Sequence, residues 1–285
     1  MAASEAMARC TLSAADVAGG LARSDVAGWN QTADDWALFI ARGHVPGRRD
    51  ARGEIIATAA ALPYDEAQGW ISMVLVAPAW RHRGLATALM GDCMARLRGA
   101  GINPVLDATP DGEPVYRRLG FVAGFGFERW QGVLPAPRAD APPTRGGVRE
   151  ATAADVDTIA ALDAAGSGIG RRFLIESFLA RPTTRAWIRS DGSGFVIARA
   201  GRRATQIGPL IADDESAAGG LLDAALRACT GAVFLDLPTR WTVLADTLQQ
   251  RGFSRQRPFV RMALGAAPSL AGSERQFLVA GPEFG

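Results

Sequence analysis

Apolar positions recur along the chain with two periods, and each marks a different element. Leu85, Leu89, Met90, Met94 and Leu97 fall on one stripe of a 3.6-residue repeat, which predicts an amphipathic helix over Leu85–Leu97. Ser13-Ala-Ala-Asp16 and Thr152-Ala-Ala-Asp155 each set a hydroxyl three residues before an acid. Both are capping boxes and should open helices. A further helix is expected around Asp34–Ala41 and a short one over Glu113–Leu119. Glu54–Leu62 and Trp70–Val76 are nearly unbroken apolar runs joined through Pro63-Tyr64-Asp65, so they should be antiparallel neighbours. Pro104–Ala108 follows the Leu85 helix, an order that predicts a parallel crossover, and Phe125–Trp130 reads as a closing strand. The chain is therefore α/β, with sheets of mixed direction.

The pattern occurs twice. Ile71–Val76 aligns without gaps with Ile207–Ala212 at an offset of 136, and the same offset puts Gly84-Leu85 on Gly220-Leu221. Gly120-Phe121 matches Gly252-Phe253, and Phe127-Glu-Arg129 matches Phe259-Val-Arg261, both at an offset of 132. Four matches in one order at nearly constant spacing indicate a duplication. Between the copies, residues 131–147 carry Pro135, Pro137, Pro142 and Pro143 with Gly132, Gly146 and Gly147, a semi-rigid linker composition. The expected domains are residues 1–130 and 148–285, each long enough for its own core.

Composition narrows the function. A formal charge of +2 over 285 residues argues against a nucleic-acid binder held by a basic face. The sequence holds no lysine, which removes that side chain as a nucleophile or Schiff-base former. Cys10, Cys93 and Cys229 lie far apart and form neither a CxxC pair nor a disulfide framework, so no metal site is expected. The first twenty residues include Glu5, Arg9 and Asp16 without an apolar core, and no uncharged run approaches membrane-spanning length. A cytoplasmic location with no membrane partner is the expectation.

The segment with most chemistry is Val74-Leu-Val-Ala-Pro-Ala-Trp-Arg81-His-Arg-Gly84-Leu-Ala86-Thr87. A strand ends at Val76 and a helix begins near Leu85, with Arg-x-x-Gly-x-Ala between them. Gly84 allows close approach of a ligand to the backbone, Ala86 keeps the first turn small, and the turn's free N–H groups attract an anion. Arg81 and Arg83 add charge, so the loop suits a pyrophosphate. It is neither a Walker loop nor a dinucleotide-binding fingerprint, since the Gly-Lys-Ser/Thr end and the three-glycine spacing are both missing. The other reading of this stretch is an ordinary strand-to-helix turn with two solvated arginines.

These residues resemble the GNAT (GCN5-related N-acetyltransferase) superfamily. The likeness rests on Arg81-x-x-Gly84-x-Ala86, Leu106-Asp-Ala-Thr-Pro110 and Tyr116-x-x-x-Gly120-Phe121, and it covers most of residues 10–130. The second half, with Phe234-Leu-Asp-Leu-Pro238, Gly252-Phe253 and Gly281-Pro-Glu-Phe-Gly285, is similar to the C-terminal domain of tandem bacterial GNAT proteins of the YitH-like type. The resemblance implies two tandem GNAT folds, each a mixed, mostly antiparallel twisted sheet flanked by helices. It implies acetyl-CoA as co-substrate, with Arg81, His82, Arg83, Gly84, Leu85, Ala86 and Thr87 around the pyrophosphate. Leu75 and Val76 would align the pantetheine arm and thioester, and Tyr116 would protonate the departing thiolate. An acceptor amine would attack the thioester directly, without an acyl-enzyme.

The acceptor side is less legible. Trp29 and Asn30 match one wall of the acceptor site in such folds, although Trp29 also reads as a hydrophobic staple for the helix that follows. The strand Trp70–Val76 lacks the carboxylate that many relatives carry, which leaves Ser72 as a proton relay through water or a substrate contact. Asp107, Glu54 and Glu128 are the other acids that could lie near the acceptor, and each reads first as structural or solvated. His44 falls in a turn-rich stretch, and His82 lies inside the loop. The expected acceptor is a small-molecule amine; the oligomeric state is open. A non-catalytic acyl-CoA sensor and a peptide N-terminal acetyltransferase are competing readings.

The second copy should do no chemistry. At the offsets above, Arg81 falls on Ala217, Arg83 on Gly219 and Tyr116 on Leu248, and Asp213-Asp214-Glu215 would repel a pyrophosphate. Gly220 is then a surviving backbone feature. Gly166-Ser-Gly-Ile-Gly-Arg-Arg172 reads as a flexible loop or, second, as a substrate-contacting turn.

Overall fold

The computed structural model describes residues 7–136, 147–265 and 272–285. These form two compact units that divide at Leu106/Asp107. The first unit opens with β1 (Ala8–Thr11), then a 3-10 turn capped by Ser13 and Asp16 that leads into α1 (Val17–Val26). Next come α2 (Ala33–Arg42), β2 (Pro46–Arg49), β3 (Ile55–Pro63), β4 (Gln68–Val76), α3 (Leu85–Arg98) and β5 (Asn103–Ala108), whose last residues enter the second unit. Strands β1, β2, β3 and β4 pair antiparallel in sequence order, and β4 pairs with β5 in parallel. The short strands β1 and β2 carry no alternation strong enough to be expected from sequence.

Burial explains where this unit is pinned. Trp36, Phe39, Leu62 and Trp70 are fully buried. The Trp36 indole donates to Ser24 Oγ at 2.8 Å, and a β-carbon at Gly20 would lie 2.4 Å from its ring. Helix α3 buries Leu85, Leu89, Met90, Cys93 and Leu97 against β3 and β4, so Cys93 takes the core position expected for Met94. Its thiol is inert there, since burial raises its pKa.

The second unit contains α4 (Glu113–Arg118), β6 (Phe121–Leu134), β7 (Val148–Glu150), α5 (Val156–Ser167), α6 (Arg172–Leu179), β8 (Arg185–Arg189) and β9 (Gly194–Arg199). It continues with β10 (Thr205–Ala212), α7 (Glu215–Ala228), β11 (Gly231–Pro238), α8 (Thr242–Gln250), β12 (Ser254–Leu264) and β13 (Gln276–Leu278). Strands β7 to β11 repeat the order and directions of β1 to β5, with β10 and β11 as the parallel pair. Two copies of one α/β fold, each a mixed and mostly antiparallel sheet with helices packed on it, follow from this repetition. Gln131–Leu134, expected as the start of the linker, instead belong to β6, and residues 137–146 lie outside the described residues. Those four residues continue the ladder to β11, which outweighs the glycine at 132.

Strand β6 belongs by sequence to the first copy, yet it pairs on one side with β11 and on the other with β12. The β6–β12 ladder is centred on Phe127 opposite Phe259, whose rings stack at 5.1 Å. Gln131↔Ser254 is mirrored by Val122↔Ala263, Trp130↔Arg255 by Ala123↔Met262, and Glu128↔Pro258 by Gly126↔Val260. The register is thus two-fold symmetric, as expected if two copies of one motif pair with each other.

Two buried ion pairs obey the same symmetry. Arg129 on β6 forks onto Asp236 of β11 at 2.9 and 2.8 Å, and Arg261 on β12 forks onto Asp107 of β5 at 2.9 and 3.0 Å. Each arginine closes one sequence copy and grips the aspartate of the other. All four side chains are essentially excluded from water, so losing one partner would strand a buried charge. Arg129→Met is therefore expected to lower the unfolding free energy of the full chain by about 3–5 kcal/mol. Arg129→Met combined with Asp236→Leu should recover most of that loss, both read by urea denaturation.

Candidate functional site

In the first unit, β4 and β5 pair only over Gln68–Trp70 and Asn103–Val105. Beyond Trp70 the parallel ladder stops, while β4 runs on to Val76 with its other edge on β3. On that other edge the register slips between Thr58 and Ala60, opposite Met73, whose φ is 54°. A left-handed methionine is unusual in a strand, and such strain clusters at sites where the backbone must be re-aimed. Leu75 and Val76 lie just past this bulge.

The loop after β4 has eight residues, 77–84, and includes a 3-10 turn over Pro78–Trp80. His82 (φ 60°) and Gly84 (φ 74°) are both left-handed. Arg81 beside His82 has φ −65°. Arg81 is extended (ψ 163°), so the two left-handed residues bend the chain sharply between the strand and α3. Gly84 is the residue before α3 and gives the helix no side-chain cap. Among the described residues the N–H groups of Leu85, Ala86 and Thr87 have no hydrogen-bond partner, and Ala88 is the first to bond back, to Gly84 O. Arg81 to Gly84, Thr87 and Ala88 are exposed. A β-carbon at Gly84 would meet nothing within 4 Å, so the glycine serves backbone conformation and approach rather than packing. The Arg81 Nε donates to Val76 O at 3.3 Å, and Arg83 lies over the Trp80 ring at 4.7 Å with a bond to Ala79 O. Both arginines are thereby held at the loop. Trp80, buried as the platform for Arg83, was not singled out from sequence, although its place before two arginines was a signal.

The remaining expected residues of this unit lie on other elements. Trp29, partly buried, and Asn30, buried, follow α1. The cap of α2 is Thr32, boxed with Asp35. Gln31, not Trp29, stands immediately before that cap, so Trp29 is not the staple. The Gln31 side-chain oxygen is buried without a partner, a feature the sequence did not flag. Ser72 sits in β4 just before the bulge, 8% exposed, and its hydroxyl also lacks a partner. Buried polar atoms are normally satisfied, so both are candidates to meet a ligand. His44 is a bridge partner of Ala61, and burial, helped by Arg96, lowers its pKa. Glu54 is exposed.

In the second unit, Tyr116 lies on α4, partly buried, with its ring 6.2 Å from that of Phe121. Burial pushes its phenol up to about 12, so the hydroxyl stays protonated across the physiological range. Asp107 is held by Arg261 as described; burial raises its carboxyl pKa and Arg261 opposes the shift. Glu128 pairs with Arg255 at 3.1 Å. None of the three acids considered as bases is an unpaired buried carboxylate.

The second copy departs from the alignment at the loop. Only Asp213 and Asp214 separate β10 from α7, against eight residues in the first copy. The match of Gly220 with Gly84 is therefore accidental, because Gly220 is interior to α7. Asp214 caps that helix by accepting from Ala217 N at 2.8 Å, an internal carboxylate where the first copy leaves free N–H groups. Leu248, aligned with Tyr116, is fully buried on α8. Among the described residues no three metal-ligating side chains gather, and no helix is long and apolar enough to cross a membrane.

Comparison with known proteins assigns both copies. The acetyltransferase (GNAT) family model matches residues 22–121, and an acetyltransferase (GNAT) domain model matches residues 159–278. The chain belongs to the GNAT superfamily, as a tandem member and an acyltransferase enzyme. An inferred acetyltransferase from Pyrococcus horikoshii has a TM-score of 0.80 at 18% identity, over 98% of this chain and 96% of that one. A tandem GNAT protein from the clavulanic acid biosynthesis pathway has a TM-score of 0.65 at 15% identity, over 92% and 100%. A GCN5-related N-acetyltransferase from Sphaerobacter thermophilus scores 0.60 at 16% identity, over 93% and 96%. At such identities the likeness is one of fold. No curated protein sequence gives a significant match.

The two helix starts behave differently under mutation. Asp214→Ala removes a working cap and is expected to cost about 1 kcal/mol in urea denaturation. Thr87→Ala at the start of α3 removes none and should leave stability within about 0.5 kcal/mol of the parent.

Proposed function

We propose that the chain transfers an acetyl group from acetyl-CoA to the amine of a small molecule, and that residues 1–130 carry the co-substrate. The observation that carries this reading is the uncapped start of α3 behind a loop whose His82 and Gly84 are left-handed. Free N–H groups, a helix dipole and two anchored arginines are what a pyrophosphate requires. The edge of β4 that β5 leaves past Trp70, opposite the edge paired with β3, supports a role for Leu75 and Val76 in aligning an amide-bearing pantetheine arm. The co-substrate supplies an activated thioester, and the chain's residues position and polarise it.

Tyr116 fits the general acid. Its phenol is protonated at neutral pH, and no hydrogen bond from its hydroxyl is present among the described residues. Ser72 and Gln31, with unpartnered buried oxygens, fit contacts to a polar acceptor, beside Trp29 and Asn30. The proton of the attacking amine has no dedicated carboxylate on β4, so we infer that water relayed by Ser72 removes it. This absence also favours a second reading, a retained acyl-CoA sensor without turnover.

The test is free-thiol release from acetyl-CoA against a panel of amines, with calorimetry of acetyl-CoA binding alongside. Turnover on any amine supports the enzyme reading, binding without turnover supports the sensor, and absence of binding overturns both. Tyr116→Phe should lower kcat by roughly 10²–10⁴-fold with little change in KM for acetyl-CoA. Unchanged kcat would remove Tyr116 from the reaction. Gly84→Val should raise KM for acetyl-CoA at least about tenfold, since it adds bulk and forbids the left-handed turn.

A further inference from the structure

The two copies each contain a parallel strand pair that separates. In the second copy β10 and β11 pair over Thr205–Ile207 and Val233–Leu235 and then part, as β4 and β5 do. The bulge recurs too: the β9–β10 register slips between Ile207 and Leu210, the positions that align with Ile71 and Val74. The edge opened in the second copy is not left unpaired. Strand β13 lies against it, with Leu278 opposite Leu210 and Gln276 opposite Ile211, and Ala212 N donates to Arg275 O at 3.0 Å. The same segment bonds to the other strand, Val279 N donating to Asp236 O at 3.0 Å. Ile211 and Ala212 are the counterparts of Leu75 and Val76.

The rest of the segment is fastened as a ligand would be. A β-carbon at Gly208 would lie 2.2 Å from the Val279 carbonyl oxygen, so the segment's backbone runs hard against β10. Phe277, Leu278 and Val279 are buried; Phe277 stacks on Trp241 at 4.1 Å, and the Trp241 indole donates to Gln276 O. Phe284 packs edge-on against Phe178 at 5.2 Å. Arg171, fully buried and forked onto Asp163, donates to the oxygens of Phe284 and Gly285. Arg199 pairs with Glu283 at 3.3 Å. The glycine-rich stretch before Arg171 is thus neither a free loop nor a substrate turn: its arginine is a clamp for this segment. Arg275 also reaches Asp213, in the short turn that replaces the pyrophosphate loop.

We propose that residues 275–285 are an internal peptide occupant of the second domain's acyl-CoA cleft. The peptide strand stands where the pantetheine arm lies in the first domain, and Asp214 stands in for the pyrophosphate at the helix start. The second domain is then a peptide clamp, and the chain takes one acyl-CoA. This rests on the assignment of the first cleft to acetyl-CoA given above.

The test is amide-resolved hydrogen exchange on the full chain, with and without saturating acetyl-CoA, joined to binding stoichiometry. The Ala212 and Val279 amides should exchange at least roughly 10³-fold slower than unstructured peptide. Acetyl-CoA should slow Leu85, Ala86 and Thr87, leave Ala212 and Val279 unchanged, and bind one per chain. Phe284→Ala should speed Val279 and Ala212 by about 10–100-fold while the β6–β12 amides stay protected. A free peptide of residues 273–285 should restore protection to Ala212 of the variant, while the displaced Val279 of its own tail stays fast. Val279 and Ala212 exchanging at unstructured rates, accelerating when acetyl-CoA is added, or a second equivalent binding would each overturn the proposal. A failure of Leu85–Thr87 to respond overturns the first-domain assignment, and with it the equivalence, even if the tail amides are protected.

Discussion

The fold depends on a reciprocal grip between closing strands. Arg129 at the end of the first copy holds Asp236 of the second, and Arg261 at the end of the second holds Asp107 of the first. Buried ion pairs seldom add much net stability over an apolar substitute, but they are unforgiving of mispairing. Here that intolerance acts on register. A two-residue slip of β6 against β11 would move Arg129 off Asp236 and leave both charges buried and unmatched. The Phe127–Phe259 stack marks the centre about which both grips are symmetric. Neither copy has its closing ion pair without the other, which gives the duplication a physical reason to persist after one copy has lost its loop.

That loss was not a loss of fold. Both copies face the same problem: a parallel strand pair that parts, and a helix whose first N–H groups have no intrahelical partner. The second copy solves it from within. Its loop is cut to Asp213-Asp214, Asp214 caps α7, and β13 fills the parted strands. The first copy leaves both needs unmet, with free N–H groups on α3 and an unextended ladder on β4. Unsatisfied donors and the left-handed His82 and Met73 are destabilising, and structures retain them where a ligand is to be met.

Much of this was legible in the sequence because local rules and tertiary context agreed. The capping boxes at Ser13 and Thr152, the α3 stripe and the β3–β4 turn each follow from short-range chemistry, and each formed. The failures came where context overrode pattern. Strands β1 and β2 are short and hold arginines, so no alternation announced them. Gly132 reads as linker until Gln131–Leu134 are seen pairing with β11, a contact about a hundred residues distant. Gly220 aligned with Gly84 by spacing alone, and a six-residue contraction of the preceding loop carried it into a helix. Asp107 and Glu128 were considered as bases because sequence shows a carboxylate and hides its partner; Arg261 and Arg255 are that partner.

The strand before the loop lacks a carboxylate. A buried acid beside β4 would need a partner or a raised pKa to be tolerated. The chain has no lysine with which to pair such an acid. What remains near the bulge is Ser72, neutral and unpartnered. A hydroxyl can be buried at modest cost without distorting the strand and can pass a proton through water. Its price is that it cannot hold the proton itself. Under the proposed transfer, an acceptor amine with a modest pKa, already partly neutral when it arrives, would need no stronger base than this.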